Sequence, residues 1–255
     1  KRTPGISHAQ QQYRGESRAC YRQTPHPFPK KSLILSRYAS LSSYKPVIII
    51  PKMSILNYNQ IAFLKSANSK AGLPNDSGAE VAFGGRSNAG KSSALNKITG
   101  IHRLARTSKT PGRTQLINFF QLADPEKRLV DLPGYGYAKV PDSIKKHWQT
   151  IVSQYLTERK SLKGLILLMD IRHPLKAQDW QMIEWSLAHQ LPTHILLTKA
   201  DKLGRGAARN TLLMLKKELL GYEEFISSQL FSMLSGEGIV EVQEKLDEWL
   251  QAEHA

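Results

Sequence analysis

Cysteine is almost absent from this chain: Cys20 is the single one among 255 residues. No disulfide can therefore close within it, and the sequence gives no support for the oxidising compartments where small domains depend on such links. Long apolar runs are missing as well. The longest, such as Val47-Ile48-Ile49-Ile50 and Leu165-Ile166-Leu167-Leu168-Met169, fall far short of the roughly 20 residues a membrane-spanning helix needs. Acids are scarce at the start, where Glu16 stands against ten Lys and Arg in residues 1–52. No internal repeat or low-complexity tract is present. These absences lead to the expectation of a cytoplasmic monomer with no membrane partner.

What is present divides the chain in two. Residues 1–52 contribute +9 of the formal net charge of +15, leaving +6 for residues 53–255. The first segment is rich in Arg, Ser, Gln, Pro and Tyr, shows no sustained period of 2 or 3.6, and reads as basic and disordered. Three explanations compete for it: an organelle transit peptide, a basic nucleic-acid arm, or sequence upstream of the true start. The last is favoured, because the first methionine is Met53 and orderly patterning begins there. The remainder is long enough for one good-sized core. Its moderate positive charge suits a polyanionic partner such as RNA, although many solvated surfaces carry as much.

The stretch that organises the rest is Gly85-Arg86-Ser87-Asn88-Ala89-Gly90-Lys91-Ser92. It follows an apolar run at 80–84 and precedes a helix-like run at 93–98. Strand, glycine-rich loop and helix form the context that a G-x-x-x-x-G-K-S/T motif needs to cradle phosphates. Glycines let the backbone N–H groups turn inward, and the helix N-terminus adds partial positive charge. Lys91 would reach the β- and γ-phosphates, and the Ser92 hydroxyl would ligate Mg²⁺.

Upstream, residues 53–79 are expected to form an N-terminal helix, capped by Asn57 and carrying Ile61, Leu64 and Ala67, followed by a turn-rich linker at 72–78. Downstream, strand-like runs at 114–122, 128–131, 164–170, 193–199 and 229–232 alternate with helical spacings. Those spacings are marked by Trp148, Ile151 and Tyr155; by Trp180, Ile183 and Leu187; by Leu212, Leu215 and Leu219; and by Ile239, Val242, Leu246 and Trp249. The alternation predicts a three-layer, doubly wound α/β domain over 80–252, built on a mostly parallel six-stranded sheet. In such folds ligands sit at the carboxyl ends of the strands.

Further motifs fall at those ends. Asp131-Leu132-Pro133-Gly134 closes a strand, so its carboxylate can hold Mg²⁺ through water and its glycine N–H can approach a γ-phosphate. Thr198-Lys199-Ala200-Asp201 ends another. A carboxylate at Asp201 accepts from both N1–H and the exocyclic amine of guanine, whereas adenine would leave it poorly paired. Phe231-Ser232-Met233 offers a backbone N–H to guanine O6. Residues 103–113 read as a mobile loop, with Thr114 at its end placed for Mg²⁺ and γ-phosphate, the arrangement of a nucleotide-ordered switch.

In order, these pieces resemble the motifs of translation-factor-related GTPases, and more closely the EngB (YihA/YsxC) family of ribosome-assembly GTPases. The resemblance covers about residues 53–252. It rests on the P-loop through Ser93, Thr110-Pro111-Gly112-Arg113-Thr114-Gln115, Asp131-Leu132-Pro133-Gly134-Tyr135-Gly136-Tyr137-Ala138, Thr198-Lys199-Ala200-Asp201 and Phe231-Ser232. It implies GTP or GDP as ligand, contacted by Gly85, Arg86, Ser87, Asn88, Ala89, Gly90, Lys91, Ser92, Gly112, Arg113, Thr114, Gln115, Leu116, Asp131, Leu132, Pro133, Gly134, Thr198, Lys199, Ala200, Asp201, Phe231, Ser232 and Met233. Lys91, Thr114 and Gly134 would act at the reacting phosphate, and Ser92 and Thr114 would ligate Mg²⁺. The implied role is a switch in assembly of the large ribosomal subunit, with rRNA and ribosomal proteins as partners and a link to cell division and septation. Met233 departs from the family, which more often has a small residue there.

Two chemical expectations follow. Many such switches place a water-orienting Gln after the D-x-x-G glycine; here Tyr135 stands there, which predicts slow intrinsic hydrolysis accelerated by a partner. The competing reading has another group orient the water while Tyr135 only packs. In related GTPases an Asn at the Asn88 position helps bind K⁺; the plainer reading is that it stabilises the loop through its own hydrogen bonds. The rival functions are a P-loop nucleotide kinase and a guanine-nucleotide binding module without turnover. No arginine-rich lid segment follows the core to support the kinase.

Overall fold

The computed structural model describes residues 56–105, 116–135 and 142–251, and side chains within the third stretch from Thr150 onward. All belong to the compact unit Ile48–Ala255. The expectations for residues 1–52 and for 106–115, with Gly112, Arg113, Thr114 and Gln115, lie outside the described residues, as do those for Gly136, Tyr137 and Ala138.

Strands β1 (Ala62–Ala67), β2 (Ala79–Gly85), β3 (Ile117–Gln121), β4 (Lys127–Asp131), β5 (Leu162–Asp170), β6 (Thr193–Thr198) and β7 (Ile226–Leu230) form one sheet in the order β1-β3-β4-β2-β5-β6-β7. Helices α1 (Lys91–Thr99), α2 (Asp142–Glu158), α3 (Ala177–Ala188), α4 (Arg205–Glu218) and α5 (Ile239–Gln251) connect or follow them. β4, β2, β5, β6 and β7 run parallel, while β3 pairs antiparallel with both β4 and β1.

Alternation along the strands divides the core into two layers. Leu165, Leu167 and Met169 of β5 join Tyr155 of α2, Ile183 of α3 and Leu215 of α4 on one face. Ile166 and Leu168 join Leu95 and Ile98 of α1 and Val242, Leu246 and Trp249 of α5 on the other. A strand buried on both faces has to be apolar at odd and even positions alike, which is what a continuous run such as that of β5 supplies. The close packing of α5 depends on Gly164, where an added Cβ would lie 2.3 Å from the Trp249 ring.

Seven strands, rather than six, are found among the described residues, and the additional one replaces the predicted N-terminal helix. Asn57 does act as a cap, accepting from the Asn59 N–H at 3.1 Å, but it caps only the short 3₁₀ turn Tyr58–Gln60. The chain then extends into β1. The helical spacing was coincidental: Leu64 is 40 % exposed, and Ile61 and Ala67 pack into different core layers. Pairing of β1 with β3 satisfies the backbone along an edge that a lone helix would have left open. Strand β7 also departs from the reading: it begins three residues earlier than predicted and ends two residues earlier, before Phe231, and the Phe231 N–H extends the pairing by donating to Leu197 O. No described helix is long and apolar enough to cross a membrane.

Candidate nucleotide site

β2, β4 and β6 deliver the three motifs to one end of the sheet. At the end of β2 the chain turns through Asn88 (φ 65°) and Gly90 (φ 94°) into α1. A left-handed conformation at Gly90 costs a side chain dearly, and a Cβ there would also meet Met233 at 3.0 Å. No side chain caps α1. Its first N–H groups are thus directed outward from a helix N-terminus, an arrangement suited to an anion.

Lys91, the first residue of α1, is buried and forms an ion pair with Asp131 at the end of β4, itself 2 % exposed. Leu132 N–H donates to Phe83 O at 3.0 Å, which holds the D-x-x-G segment against β2. Gly134 lies close to the P-loop: a Cβ on it would sit 3.4 Å from the Ser87 backbone. Leu116, the one described member of the predicted 112–116 contact set, is 38 % exposed just before β3.

The T-K-x-D segment is joined directly to the P-loop. Thr198 is fully buried, and its hydroxyl donates to Ala89 O at 2.7 Å. Lys199 takes a left-handed conformation (φ 61°), and its ammonium bridges Asn88 O and Asp170 Oδ2, each at 2.9 Å. Asp201 Oδ1 accepts from the Ser232 hydroxyl at 2.7 Å. That bond first, with Lys202 nearby, holds the Asp201 carboxyl below the usual carboxylate range. Of the three residues after β7, Phe231 donates its N–H to Leu197 O and Ser232 to Glu237 O. Among the described residues that leaves the Met233 N–H as the uncommitted one.

Sequence reasoning missed two carboxylates. Asp170 ends β5 and takes the guanidinium of Arg172 as well as Lys199, contacts that keep it well below the ordinary carboxylate range. Asp179, in the first turn of α3, is fully buried; it accepts from Arg86 Nε at 3.1 and 3.0 Å, from the Tyr135 hydroxyl at 3.2 Å and from Lys176 N–H at 3.0 Å. Arg86 also donates to His173 O at 2.6 Å, so its side chain turns away from the loop it belongs to.

Comparison with known proteins agrees with this architecture. Residues 80–199 match the family described as "50S ribosome-binding GTPase". The chain is 54% identical over 197 residues to the Probable GTP-binding protein EngB of Escherichia coli K12, covering 77% of this chain and 93% of that protein. The same figures hold for the EngB of Shigella boydii serotype 18. Among solved structures, a probable GTP-binding protein engB superposes with a TM-score of 0.56 at 20% identity, covering 68% of this chain and 99% of that one. Era in complex with MgGDPNP and nucleotides of 16S ribosomal RNA gives 0.55 at 21% identity, covering 70% and 59%. The structural likenesses show the fold, and the sequence identity shows the kinship. With a phosphate loop, a D-x-x-G turn and a guanine-type T-K-x-D segment gathered at one sheet end, this chain belongs to the EngB family of GTP-binding proteins.

Proposed function

We propose that this GTPase depends on Mg²⁺ and acts in the cytoplasm as a nucleotide-governed switch in assembly of the large ribosomal subunit, with a link to cell division. The observation that carries the nucleotide part is the direct join between base-selecting segment and phosphate loop, made by Thr198 on Ala89 O and Lys199 on Asn88 O. A base held by Asp201 is thereby registered against phosphates held by residues 85–92. The Met233 N–H is the donor for guanine O6.

Lys91 exchanges Asp131 for the β- and γ-phosphates, and the Gly134 N–H serves the γ-phosphate. Hydroxyl and carboxylate oxygens are the hard donors Mg²⁺ prefers, so Ser92, Thr114 and, through water, Asp131 fit the ion. When bound, Mg²⁺ neutralises charge on the phosphate oxygens. Asn88 is exposed, and among the described residues its side chain makes no hydrogen bond, which favours the potassium reading over loop stabilisation. Hydrolysis by the isolated chain is slow and is accelerated by the assembly particle.

The ribosomal part is supported by the description of the matching family, by kinship to EngB and by the +6 charge of residues 53–255. Protein starting at Met53, loaded with GDP, with a non-hydrolysable GTP analogue or with nothing, is sedimented with purified large subunits at moderate and high salt. Co-sedimentation with the analogue only, weakened by salt, is expected. Absence of binding in every state would remove the ribosomal role while leaving nucleotide binding intact.

A further inference from the structure

We infer that Asp179 is a positioning residue for GTP hydrolysis, clasping Tyr135 and Arg86 so that the D-x-x-G turn is held in one arrangement on the P-loop. The inference rests on the GTPase reading above. Its basis is a set of contacts between three segments remote in sequence. Tyr135 and Arg86 form an isolated parallel bridge, with Ser87 N–H donating to Tyr135 O at 2.8 Å and Tyr135 N–H to Gly85 O at 3.3 Å. The two side chains then converge on one carboxylate, that of Asp179.

Asp179 is itself fixed. It sits in the first turn of α3, where negative charge is favoured, and the Lys176 N–H pins its second oxygen. A fully buried carboxylate whose two oxygens are held by a shared guanidinium N–H, a hydroxyl and an amide has little freedom to turn. Burial, then the neighbouring carboxylate, pushes the Tyr135 phenol up in pKa, so the hydroxyl stays protonated and donating. The phenol is therefore committed to Asp179 and does not orient the attacking water. Its contribution is to hold Gly134, one residue earlier, where its N–H meets a γ-phosphate without a search through loop conformations.

Three full-chain variants test this: Tyr135→Phe, Asp179→Asn and the two combined. Each is followed by single-turnover hydrolysis of preloaded GTP, by GDP affinity and by thermal unfolding. Tyr135→Phe removes one O–H and keeps the ring; it is expected to slow single-turnover hydrolysis by about tenfold, the scale of one lost charge-assisted contact in a positioning network. GDP affinity and the unfolding midpoint stay at wild-type values. Asp179→Asn slows hydrolysis at least as much, and the double variant is no slower than Asp179→Asn alone. Tyr135→Phe hydrolysing at the wild-type rate would overturn the inference, as would losses that multiply in the double variant. A fall in GDP affinity in step with stability would reduce Asp179 to a structural role and overturn it too. If the wild-type chain binds GTP and never hydrolyses it, the GTPase reading and this inference fail together; if it hydrolyses GTP and the variants match its rate, this inference alone fails.

Discussion

The two ends of β2 solve the problem of buried charge in opposite ways. At the carboxyl end, Lys91 and Asp131 are buried as a pair with one contact between them. Towards the amino end, about 10 Å away by strand rise from Phe83, the register partner of Asp131, Glu80 is fully buried beneath a dense set of donors. It accepts from Arg128 at 3.1 Å, from Arg159 at 2.9 and 2.6 Å and from the Tyr155 hydroxyl at 3.0 Å. Both arginines reach further, to the carbonyls of Pro74, Asn75 and Ser77. This network staples the linker before β2 to β4 and to the end of α2. A charge with every lone pair used is fixed in place, whereas a charge with one partner can exchange it for a phosphate. One end of the strand is built to hold, the other to let go.

Breaking the staple gives the largest expected effect. Glu80→Ala leaves two buried guanidiniums without their shared acid, a loss of about 3–5 kcal/mol of stability. Urea unfolding measures it, and nucleotide affinity of the folded fraction stays unchanged. If that affinity fell as well, the two ends would not be independent.

Acid tests another buried group of the sheet, in register through Ile166 with Phe83 of β2. His194 on β6 lies between Ser227 and Gln229, at 2.7 Å from each. Burial pushes its imidazole down to about 4 from the ordinary 6.5, partly opposed by Gln229. The unfolded chain takes up a proton near the ordinary value and the folded chain does not until about 4. The contribution is thus fully present above pH 6.5 and is lost as pH falls towards 4, by roughly 3 kcal/mol. Unfolding midpoints between pH 7 and 4 follow that loss, and His194→Gln flattens the curve.

At the carboxyl end, Lys91→Ala is expected to weaken GTP and GDP binding by about a hundredfold, from loss of a charge-assisted phosphate contact. Titration with a fluorescent guanine nucleotide reads it. A small shift in affinity together with a large one in stability would mean that Lys91–Asp131 is a staple like the other. The mildest change sharpens the contrast from the side. Gly164→Ala drives a methyl into the Trp249 ring and should cost about 1–3 kcal/mol, read by thermal unfolding, with nucleotide affinity intact.

The two ends were unequally legible in the sequence. The loop at 85–92 and the segments at 131–134 and 198–201 were found because their residue types follow from local backbone demands, and those demands repeat at fixed spacing. Strands β5 and β6 were legible as continuous apolar runs. Glu80 was hidden inside such a run, since a single acid in a strand says nothing about three donor residues from β4 and the end of α2. Asp179 was hidden for a related reason: beside Trp180 and Ile183 it looks like an ordinary first-turn acid. At β1, a chance spacing of apolar residues imitated a helix, and only pairing with β3 decided otherwise. Strand β7 carries Ser227, Ser228 and Gln229 at its centre, too polar to stand out, and is a strand because β6 lies alongside it.

The sequence by itself determined the phosphate-type loop, the T-K-x-D segment at 198–201, the alternation of strands and helices and the kinship they carry, because each depends on residues close together along the chain. Tertiary structure decided which charges are shared. It brought Arg86 and Tyr135 onto Asp179, Lys199 onto the P-loop and two arginines onto Glu80, because a buried charge takes its partner from whichever strand ends converge on it, and that convergence exists only once the sheet has formed.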